Sequence, residues 1–348
     1  AWRDDRRGWV GAGMRLWKRA PLQRVFGKTR KMRFAEGDAA IARANSDGRR
    51  LMVWAGKSND ALDGAGAVRI EDGFLRSRGL GADLIPPLSL VLDDLGIYYD
   101  PSRESRLEWL INRADDLRPA ERARARRVIA QITKLRLSKY NLAARDIRLP
   151  LSEGRRILVP GQVEDDASIR LGASEVRTNR DLLAAARAAN PAAILLYKPH
   201  PDVEAGLRSG EVSDAADLAD IVLTETDPIA AIDAVDEVWT MTSALGFEAL
   251  LRGRRVTCLG QPFYAGWGLT DDRAMQIARR VARPGIEGLV HAALIAYPRY
   301  HDPVTDRPCA VEVVVDRLAT GTVPAPGRAN RLLAKLQGSF ASYAHLWR

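Results

Sequence analysis

Three short segments place ionisable or hydroxyl side chains directly after apolar runs. In YKPHPD, Lys198 and His200 alternate with prolines, and alternating residues of an extended segment face the same way. In TMTSALGFEAL, Thr242 or Ser243 caps a helix that follows at once, and Glu248 lies further along that helix. A hydroxyl-capped helix N-terminus binds anions, so the two segments indicate a nucleotide phosphate, with Glu248 near the ribose hydroxyls.

The third segment, PGQVEDD, is rich in carboxylates. Gly161 allows close approach of the backbone, and Gln162, Glu164, Asp165 and Asp166 offer polar and acidic side chains beside the interdomain cleft. A further loop, GQPFYAGWGLTDD at 260–272, combines aromatic residues with glycines and suits the face of a sugar or base.

The segment 71–101 carries a second group of acids. Its glycines and prolines exclude a long helix, and the pairs Glu71–Asp72 and Asp93–Asp94 stand at the ends of apolar runs. Charged loops held by rigid residues are where catalysis concentrates. Either Glu71 or Asp72 can serve as an acid/base group; the alternative is that the pair bonds loop backbone and only shapes the site.

The elements that must position these residues alternate between strand and helix. Strands are predicted at 49–56, 67–72, 88–94, 155–162, 192–202, 219–225, 236–243 and 254–260, and helices at 121–141, 177–191, 228–235 and 243–253. Such alternation predicts an α/β protein with mostly parallel sheets. The 348 residues favour two domains joined by a linker at 149–156, with ligands in the cleft at the carboxyl ends of the strands.

The net charge of +9 is concentrated at the start of the chain. Residues 1–33 hold eleven Lys/Arg and two Asp, a surplus of nine, and tryptophans are interleaved with them. This composition predicts a basic arm that contacts an anionic membrane surface; the alternative is a linker with a packed amphipathic helix. Nucleic acid is not expected as a partner, because no nucleic-acid-binding signature follows.

Several chemistries lack their signature. Cys258 and Cys309 lie far apart with no metal-ligand spacing, which predicts neither a zinc site nor a disulfide framework and fits a reducing cytosol. GxxxxGK[ST] and GxSxG are absent, and no GxGxxG follows a strand and opens a helix. No apolar run approaches the roughly 20 residues that span a bilayer.

Taken together, EDGFLRSRGLG, PPLSLVLDDLGIYYD, GQVEDDAS, YKPHPD and TSALGFEALLRGRRVTCLGQPFYAGWGLTDD closely resemble the bacterial capsule polysaccharide β-Kdo transferases, over roughly residues 50–275. Members of that family carry two transferase modules. This chain has the length of one and looks more like the second, so we expect a companion module. The missing start Met agrees with an excised piece.

The resemblance implies a fold and a reaction. The fold is GT-B-like, with two Rossmann-like domains whose parallel sheets face an interdomain cleft. We expect an arm at 1–33, an acceptor-side domain at 34–150, a CMP-sugar-binding domain at 151–320, and a C-terminal helix at 321–348 packed on the first domain. The reaction moves Kdo from CMP-β-Kdo to a Kdo-terminated lipid of phosphatidylglycerol type, with retained configuration and without cofactor or metal.

The resemblance also implies residue roles. Asp166 matches the family's nucleophile, with Asp165 the alternative. His200 and Lys198 meet the CMP phosphate or the Kdo carboxylate, while Ser243 meets the phosphate and Glu248 the ribose. Arg76 is expected to hold the anionic donor, with Arg170 as a further candidate.

Two other functions stay open at this stage. One is a different CMP- or nucleotide-sugar transferase of the same architecture, and the other is a non-catalytic glycolipid-binding module of a capsule assembly. The expected location is cytoplasmic, peripheral at the inner face of the inner membrane.

Overall fold

Two β-sheets, of seven and six strands, organise the part of the chain that the computed structural model describes: residues 4–79, 84–142, 147 and 153–324. The strands are β1 (Trp9–Ala12), β2 (Arg33–Phe34), β3 (Arg50–Trp54), β4 (Val68–Asp72), β5 (Ser89–Asp93), β6 (Arg156–Pro160), β7 (Ile194–Lys198), β8 (Ile221–Val222), β9 (Glu237–Thr240), β10 (Arg255–Cys258), β11 (Asp271–Asp272), β12 (Pro298–Asp302) and β13 (Arg307–Cys309).

Helices connect most of these strands. They are α1 (Leu16–Phe26), α2 (Gly37–Ser46), α3 (Asp60–Gly64), α4 (Arg106–Ile111), α5 (Pro119–Lys134), α6 (Ala167–Gly172), α7 (Asn179–Ala189), α8 (Pro201–Glu204), α9 (Ala215–Leu218), α10 (Pro228–Asp233), α11 (Ala244–Leu251), α12 (Gly285–Val290) and α13 (Val311–Thr320). A π-helical stretch at His291–Ala296 continues α12, and 3₁₀ turns lie at Ala55–Lys57 and Ala114–Asp116.

The first sheet has the order β13-β12-β5-β4-β3-β1-β2. β1 to β4 are parallel, whereas β5 runs antiparallel to β4 and β12. The connection from β4 to β5 contains no crossover helix in its described residues, and an antiparallel pair needs none. This domain comprises residues 4–142 together with 285–324, and we call it the first domain.

The second sheet has the order β11-β10-β9-β6-β7-β8, and every pairing in it is parallel. β6 is a short apolar run whose residues Ile157–Pro160 are all buried, as expected for a strand covered by helices on both faces. Thr178 caps α7 through a hydrogen bond to Asp181 N. These elements, residues 153–284, form the second domain.

The prediction of a basic arm at 1–33 is wrong for the described residues 4–33. β1 pairs with both β2 and β3 inside the first sheet, and Trp9 is fully buried with its indole N–H donating to Asp5 Oδ1 at 2.7 Å. Phe26 packs edge-on against Trp9. The tryptophan that suggested membrane contact therefore stabilises the core of the first domain.

The chain also returns to the first domain earlier than the predicted boundary at 320. β12 and β13 extend the first sheet beyond β5, and α13 packs on β12 and α5. Arg124 of α5 forms an ion pair with Glu312 of α13 at 2.7 Å, which ties the returning segment down. Of the C-terminal helix predicted at 321–348, residues 325–348 lie outside the described residues.

Candidate active site between the two domains

A cleft of about 620 Å³ lies where the carboxyl ends of β1, β3 and β4 face those of β6, β7 and β9. Residues between Gly13 and Leu142 line one side, which we call the N-terminal wall. Residues between Gly161 and Phe263 line the opposite side, the C-terminal wall. The cleft contains all but one of the site residues expected from the sequence.

The acidic pair Glu71–Asp72 ends β4 and forms the floor of the N-terminal wall. Burial, and after it the neighbouring Asp72 carboxylate, raises the pKa of Glu71 to about 7. Burial acts the same way on Asp72, but the Arg76 guanidinium together with the Lys18 and Lys139 ammonium groups outweighs it, so the pKa of Asp72 lies below its ordinary value. Two adjacent carboxyl groups thus differ in protonation near neutral pH, which is how a site assigns acid and base roles.

Arg76 does not line the cleft, and its expected contact with the donor is wrong. The side chain is 1% exposed, its Nε donates to Asp72 Oδ2 at 2.7 Å, and its Nη1 donates to Ser77 Oγ at 2.9 Å. Its charge is already paired with the Asp72 carboxylate. Asp72 Oδ1 is buried without a hydrogen-bond partner among the described residues.

The sequence analysis missed the cations of the N-terminal wall. Lys18 projects from α1 onto the Trp54 ring, 2.9 Å from its centroid, and burial lowers its pKa. Lys139 lies beyond α5, and its backbone N–H donates to Glu248 Oε1 at 2.7 Å, which joins the two walls. The segment WVGAGMRLW has the pattern of a strand, a turn and the start of a helix, and it could have placed Lys18 at a strand end. The many charged residues around it favoured the interpretation as a basic arm instead.

Asp166 begins α6 after the short connection that follows β6, and its exposed carboxylate lines the C-terminal wall. Oδ2 accepts a hydrogen bond from Ser168 Oγ at 2.8 Å, and within the described chain Asp166 has no ion pair. Asp165 also lines the cleft, but its Oδ1 accepts from Arg208 Nη2 at 2.6 Å. Asp166 is therefore the better available nucleophile of the two.

Gly161 and Gln162 shape the C-terminal wall. A Cβ at Gly161 would stand 2.8 Å from Tyr197 Oη, so only glycine fits there without displacing the ring. Gln162 Nε2 donates to Thr242 Oγ1 at 3.0 Å, and its Oε1 accepts from Thr242 N at 3.0 Å. The Gln162 amide thereby braces the end of β6 against the loop that follows β9.

Lys198 is the last residue of β7, His200 begins α8, and both reach the cleft, as their alternation indicated. Lys198 is 3% exposed, and burial lowers its pKa. His200 Nδ1 accepts from Asp202 N at 3.1 Å, and burial lowers the pKa of the ring. A neutral imidazole with Nδ1 as acceptor carries its proton on Nε2, which makes it a hydrogen-bond donor for an anionic ligand.

Of the two candidate caps, Ser243 is the one that begins α11: its Oγ accepts from Leu245 N at 3.2 Å. Glu248, in the same helix, is 7% exposed, and burial raises its pKa to about 7. Its Oε2 has no partner among the described residues, although it is buried. An unsatisfied carboxyl oxygen beside a capped helix N-terminus suits a ligand hydroxyl.

The remaining expected segments contribute less directly. Asp93 is fully buried and accepts from Gly96 N, Arg106 N and Tyr297 Oη, so it braces the loop behind Tyr98 and Tyr99, which line the cleft. In the loop 260–272, Phe263 reaches the cleft, while Tyr264 and Trp267 pack in the core. Arg170 is exposed at the edge of the C-terminal wall.

Over the residues that the structure describes, no group of three His, Cys, Asp or Glu could hold a metal ion. The same residues include no helix long and apolar enough to cross a membrane.

The two facing sheets and the cleft between them define a GT-B-like α/β protein. A family model for the capsule polysaccharide biosynthesis protein matches residues 60–300, and the chain belongs to that family. Two solved structures from Thermosulfurimonas dismutans are similar to it. One is KpsC, beta Kdo 2,7 transferase, at 32% identity and TM-score 0.75, covering 90% of this chain and 99% of that one. The other is KpsC, beta Kdo 2,4 transferase, at 30% identity and TM-score 0.73, covering 89% and 97%.

Curated relatives are longer than this chain. The capsule polysaccharide modification protein LipA of Neisseria meningitidis is 42% identical over 316 residues, which cover 88% of this chain but 44% of LipA. The lipopolysaccharide-processing protein LpsZ of Rhizobium meliloti is 49% identical over 241 residues, covering 67% of this chain and 54% of LpsZ. The chain thus spans about half the length of the curated relatives it matches.

Proposed function

We propose that this chain transfers Kdo from CMP-β-Kdo to a Kdo-terminated lipid acceptor of phosphatidylglycerol type, with retention of anomeric configuration. The observation that carries the proposal is the opposition of the unpaired Asp166 carboxylate to the Glu71–Asp72 pair across one cleft. Retention requires a nucleophile on one face of the sugar and a group that takes the acceptor proton on the other. The similarity to two Kdo transferases supports Kdo as the sugar.

In the first step, an Asp166 oxygen attacks the anomeric carbon of Kdo while the bond from that carbon to the CMP phosphate oxygen breaks. CMP leaves with the electron pair. The Lys198 ammonium, the His200 Nε2–H and the α11 N-terminus beneath Ser243 stabilise the phosphate charge, and Glu248 accepts a hydrogen bond from the ribose.

In the second step, the acceptor hydroxyl attacks the same carbon from the opposite face and the bond to Asp166 breaks. The hydroxyl proton passes to Glu71, which needs to be ionised at that moment; a pKa of about 7 makes this form accessible at neutral pH. Asp72 stays ionised beside Arg76 and stabilises the protonated Glu71.

CMP is a good leaving group, and cations of the protein itself lie in the cleft, so we expect no metal requirement. Transfer should continue at an unchanged rate in EDTA. A loss of activity that added Mg²⁺ or Mn²⁺ restores would contradict this expectation.

The test of the proposed function is an assay with CMP-Kdo generated in situ and a synthetic Kdo-lipid acceptor. Product analysis by NMR should give a β-linked disaccharide. The same chain with CMP-sialic acid or a UDP-hexose should give no product, since transfer from either of these would favour a different nucleotide-sugar transferase. Acceptor binding without CMP release would instead favour a non-catalytic module. This chain is 32% identical to the KpsC 2,7 transferase and 30% identical to the KpsC 2,4 transferase. These identities are too similar to choose between the two linkages, so the linkage is read from the product.

Two partners belong to the proposal. The greater length of LipA and LpsZ supports a companion module. An anionic membrane is supported by exposed cations before and at the start of β2, among them Lys31 and Arg33. Replacing both with Gln should reduce cosedimentation with vesicles containing phosphatidylglycerol, and unchanged cosedimentation would exclude this contact.

A further inference from the structure

The N-terminal wall carries a surplus of positive charge. Arg15, Lys18 and Lys57 all line the cleft, and within the described residues none of their side chains makes a hydrogen bond or an ion pair. Lys18 is held over the Trp54 ring, whereas Arg15 and Lys57 are exposed. Cations that lie close together repel one another, so the arrangement becomes more favourable when a further negative group joins them.

The fold brings these three residues together from two connections. β1 and β3 are neighbours, with Ala12 opposite Val53, so the β1–α1 turn lies beside the 3₁₀ turn that ends at Lys57. The turn passes through Gly13 at φ 67°, where an added Cβ would stand 2.6 Å from Lys57 Cβ. Arg15 and Lys18 follow three residues apart and therefore face the same way at the start of α1.

The acids of the same wall neutralise this group only in part, through the attraction of the Asp72 and Glu71 carboxylates for the Lys18 ammonium. Asp72 is already paired with Arg76 at 2.7 Å. Because its pKa is about 7, Glu71 is only partly ionised near neutral pH. The N-terminal wall is left positive next to the group that takes the acceptor proton.

We propose that Arg15, Lys18 and Lys57 form a subsite for the carboxylate of the acceptor sugar. The inference rests on the proposed function and deepens it, because it assigns acceptor recognition to the β1–α1 turn, α1 and the 3₁₀ turn after β3. The position favours a carboxylate on the attacking sugar over the lipid phosphate, since the cations share the wall with Glu71, which meets the attacking hydroxyl.

The test compares two soluble acceptors: a Kdo glycoside and the same glycoside with its carboxylate converted to a primary carboxamide. A third acceptor, the carboxylate glycoside on a phosphate-bearing lipid, separates the lipid phosphate from the sugar. The variants are Arg15→Gln/Lys57→Gln, Lys18→Gln, and the control Arg24→Gln, an exposed cation of α1 that does not line the cleft. Thermal melting confirms that each variant folds.

For the unaltered chain, we expect the acceptor KM to be about tenfold or more higher for the carboxamide than for the carboxylate. Loss of one charge-assisted hydrogen bond has an effect of this size. The double variant should raise the KM for the carboxylate acceptor by a similar factor and leave the KM for the carboxamide and for CMP-Kdo nearly unchanged. Lys18→Gln should act in the same direction, and the control should behave as the unaltered chain.

Equal losses of the variants on both acceptors would overturn the subsite, as would a rise in the KM for CMP-Kdo alone. A defect seen only with the lipid phosphate acceptor would assign the cations to that phosphate and overturn the carboxylate assignment. Failure of the unaltered chain to transfer Kdo to any of the acceptors would contradict the proposed function itself. Equal use of the carboxylate and carboxamide acceptors by the unaltered chain would contradict only the carboxylate subsite.

Discussion

The two walls of the cleft use the ends of parallel strands in different ways. On the C-terminal wall, Asp166, His200 and Ser243 each begin a helix at the ends of the neighbouring strands β6, β7 and β9. On the N-terminal wall, Glu71 and Asp72 are the last residues of β4, a strand paired on both sides. One wall presents side chains from helix starts, and the other holds its acids inside a sheet.

The difference separates two tasks. Helix starts supply N–H groups and fixed donors such as the His200 Nε2–H, which suits an anion that stays in place. Acids at the end of a buried strand lose solvation, so their protonation depends on near neighbours: Arg76 keeps Asp72 ionised, while Glu71 reaches a pKa of about 7. Under the proposed function, the C-terminal wall therefore holds the donor phosphate, and the N-terminal wall exchanges the acceptor proton.

The largest expected effect concerns the nucleophile. Asp166→Ala should lower transfer by about 10⁴-fold or more, because no covalent intermediate can form. Asp165→Ala is the matched control, and it should cost far less because that carboxylate is already occupied by Arg208. Both rates come from CMP release measured with acceptor present. Near-normal turnover by Asp166→Ala would move the nucleophile away from the C-terminal wall.

The second prediction separates the members of the acidic pair. Glu71→Gln should lower kcat by about 10²-fold and abolish the rise of rate with pH around 7, because the ionised base is lost. Asp72→Asn should keep a pH-dependent limb, since Glu71 remains. Rate profiles between pH 5.5 and about 8.5 measure both. A surviving limb in Glu71→Gln would assign the proton to Asp72.

The third prediction sets ligand binding against stability at Glu248. Because its pKa in the folded chain is raised from 4.5 to about 7, the stability it contributes is present below its unfolded pKa and is lost as pH rises through about 7. Glu248→Gln should therefore stabilise the fold by roughly 2 kcal/mol at pH 8 and much less at pH 5. The same change should weaken CMP binding by about tenfold.

Thermal melts at the two pH values and calorimetric titration of CMP measure these effects. Stabilisation that is equal at both pH values would contradict the buried, titrating carboxyl group. Unchanged CMP affinity would leave Glu248 with a structural role only.

The smallest effect concerns the coupling within the N-terminal wall. The Lys18 charge lowers the pKa of Glu71, so Lys18→Met should move the pH limb of kcat upward by less than about one unit. Arg24→Met, on the same helix but outside the cleft, should leave the limb in place. A downward shift in Lys18→Met would contradict the assigned direction of this coupling.

Much of the second domain could be predicted from the sequence. Its strands are short apolar runs ending in proline, glycine or a helix cap, and the structure confirms each predicted strand there with shorter bounds. The residues Asp166, His200 and Ser243 lie in the short connections after those strand ends, so local pattern was enough to bring them to one edge.

The first domain was harder because its signals are not local. β1 is only four residues long and lies among charges, and β12 and β13 join the sheet from about 205 residues beyond β5. Arg76 was misplaced because no local pattern shows that its guanidinium turns inward to Asp72. Lys18 was missed for the same reason as β1: the strand that delivers it was not recognised.

The return of β12, β13 and α13 to the first sheet makes the second domain an insertion within the first. Two chain crossings, rather than one, connect the domains, and Arg279 and Arg280 reinforce the return crossing by pairing with Glu108 of α4. Two connections resist twisting of one domain relative to the other. The easiest relative motion of the domains is then a hinge bend about the line through both connections. Domain movement in this protein should therefore widen or narrow the cleft while keeping Asp166 aligned with Glu71.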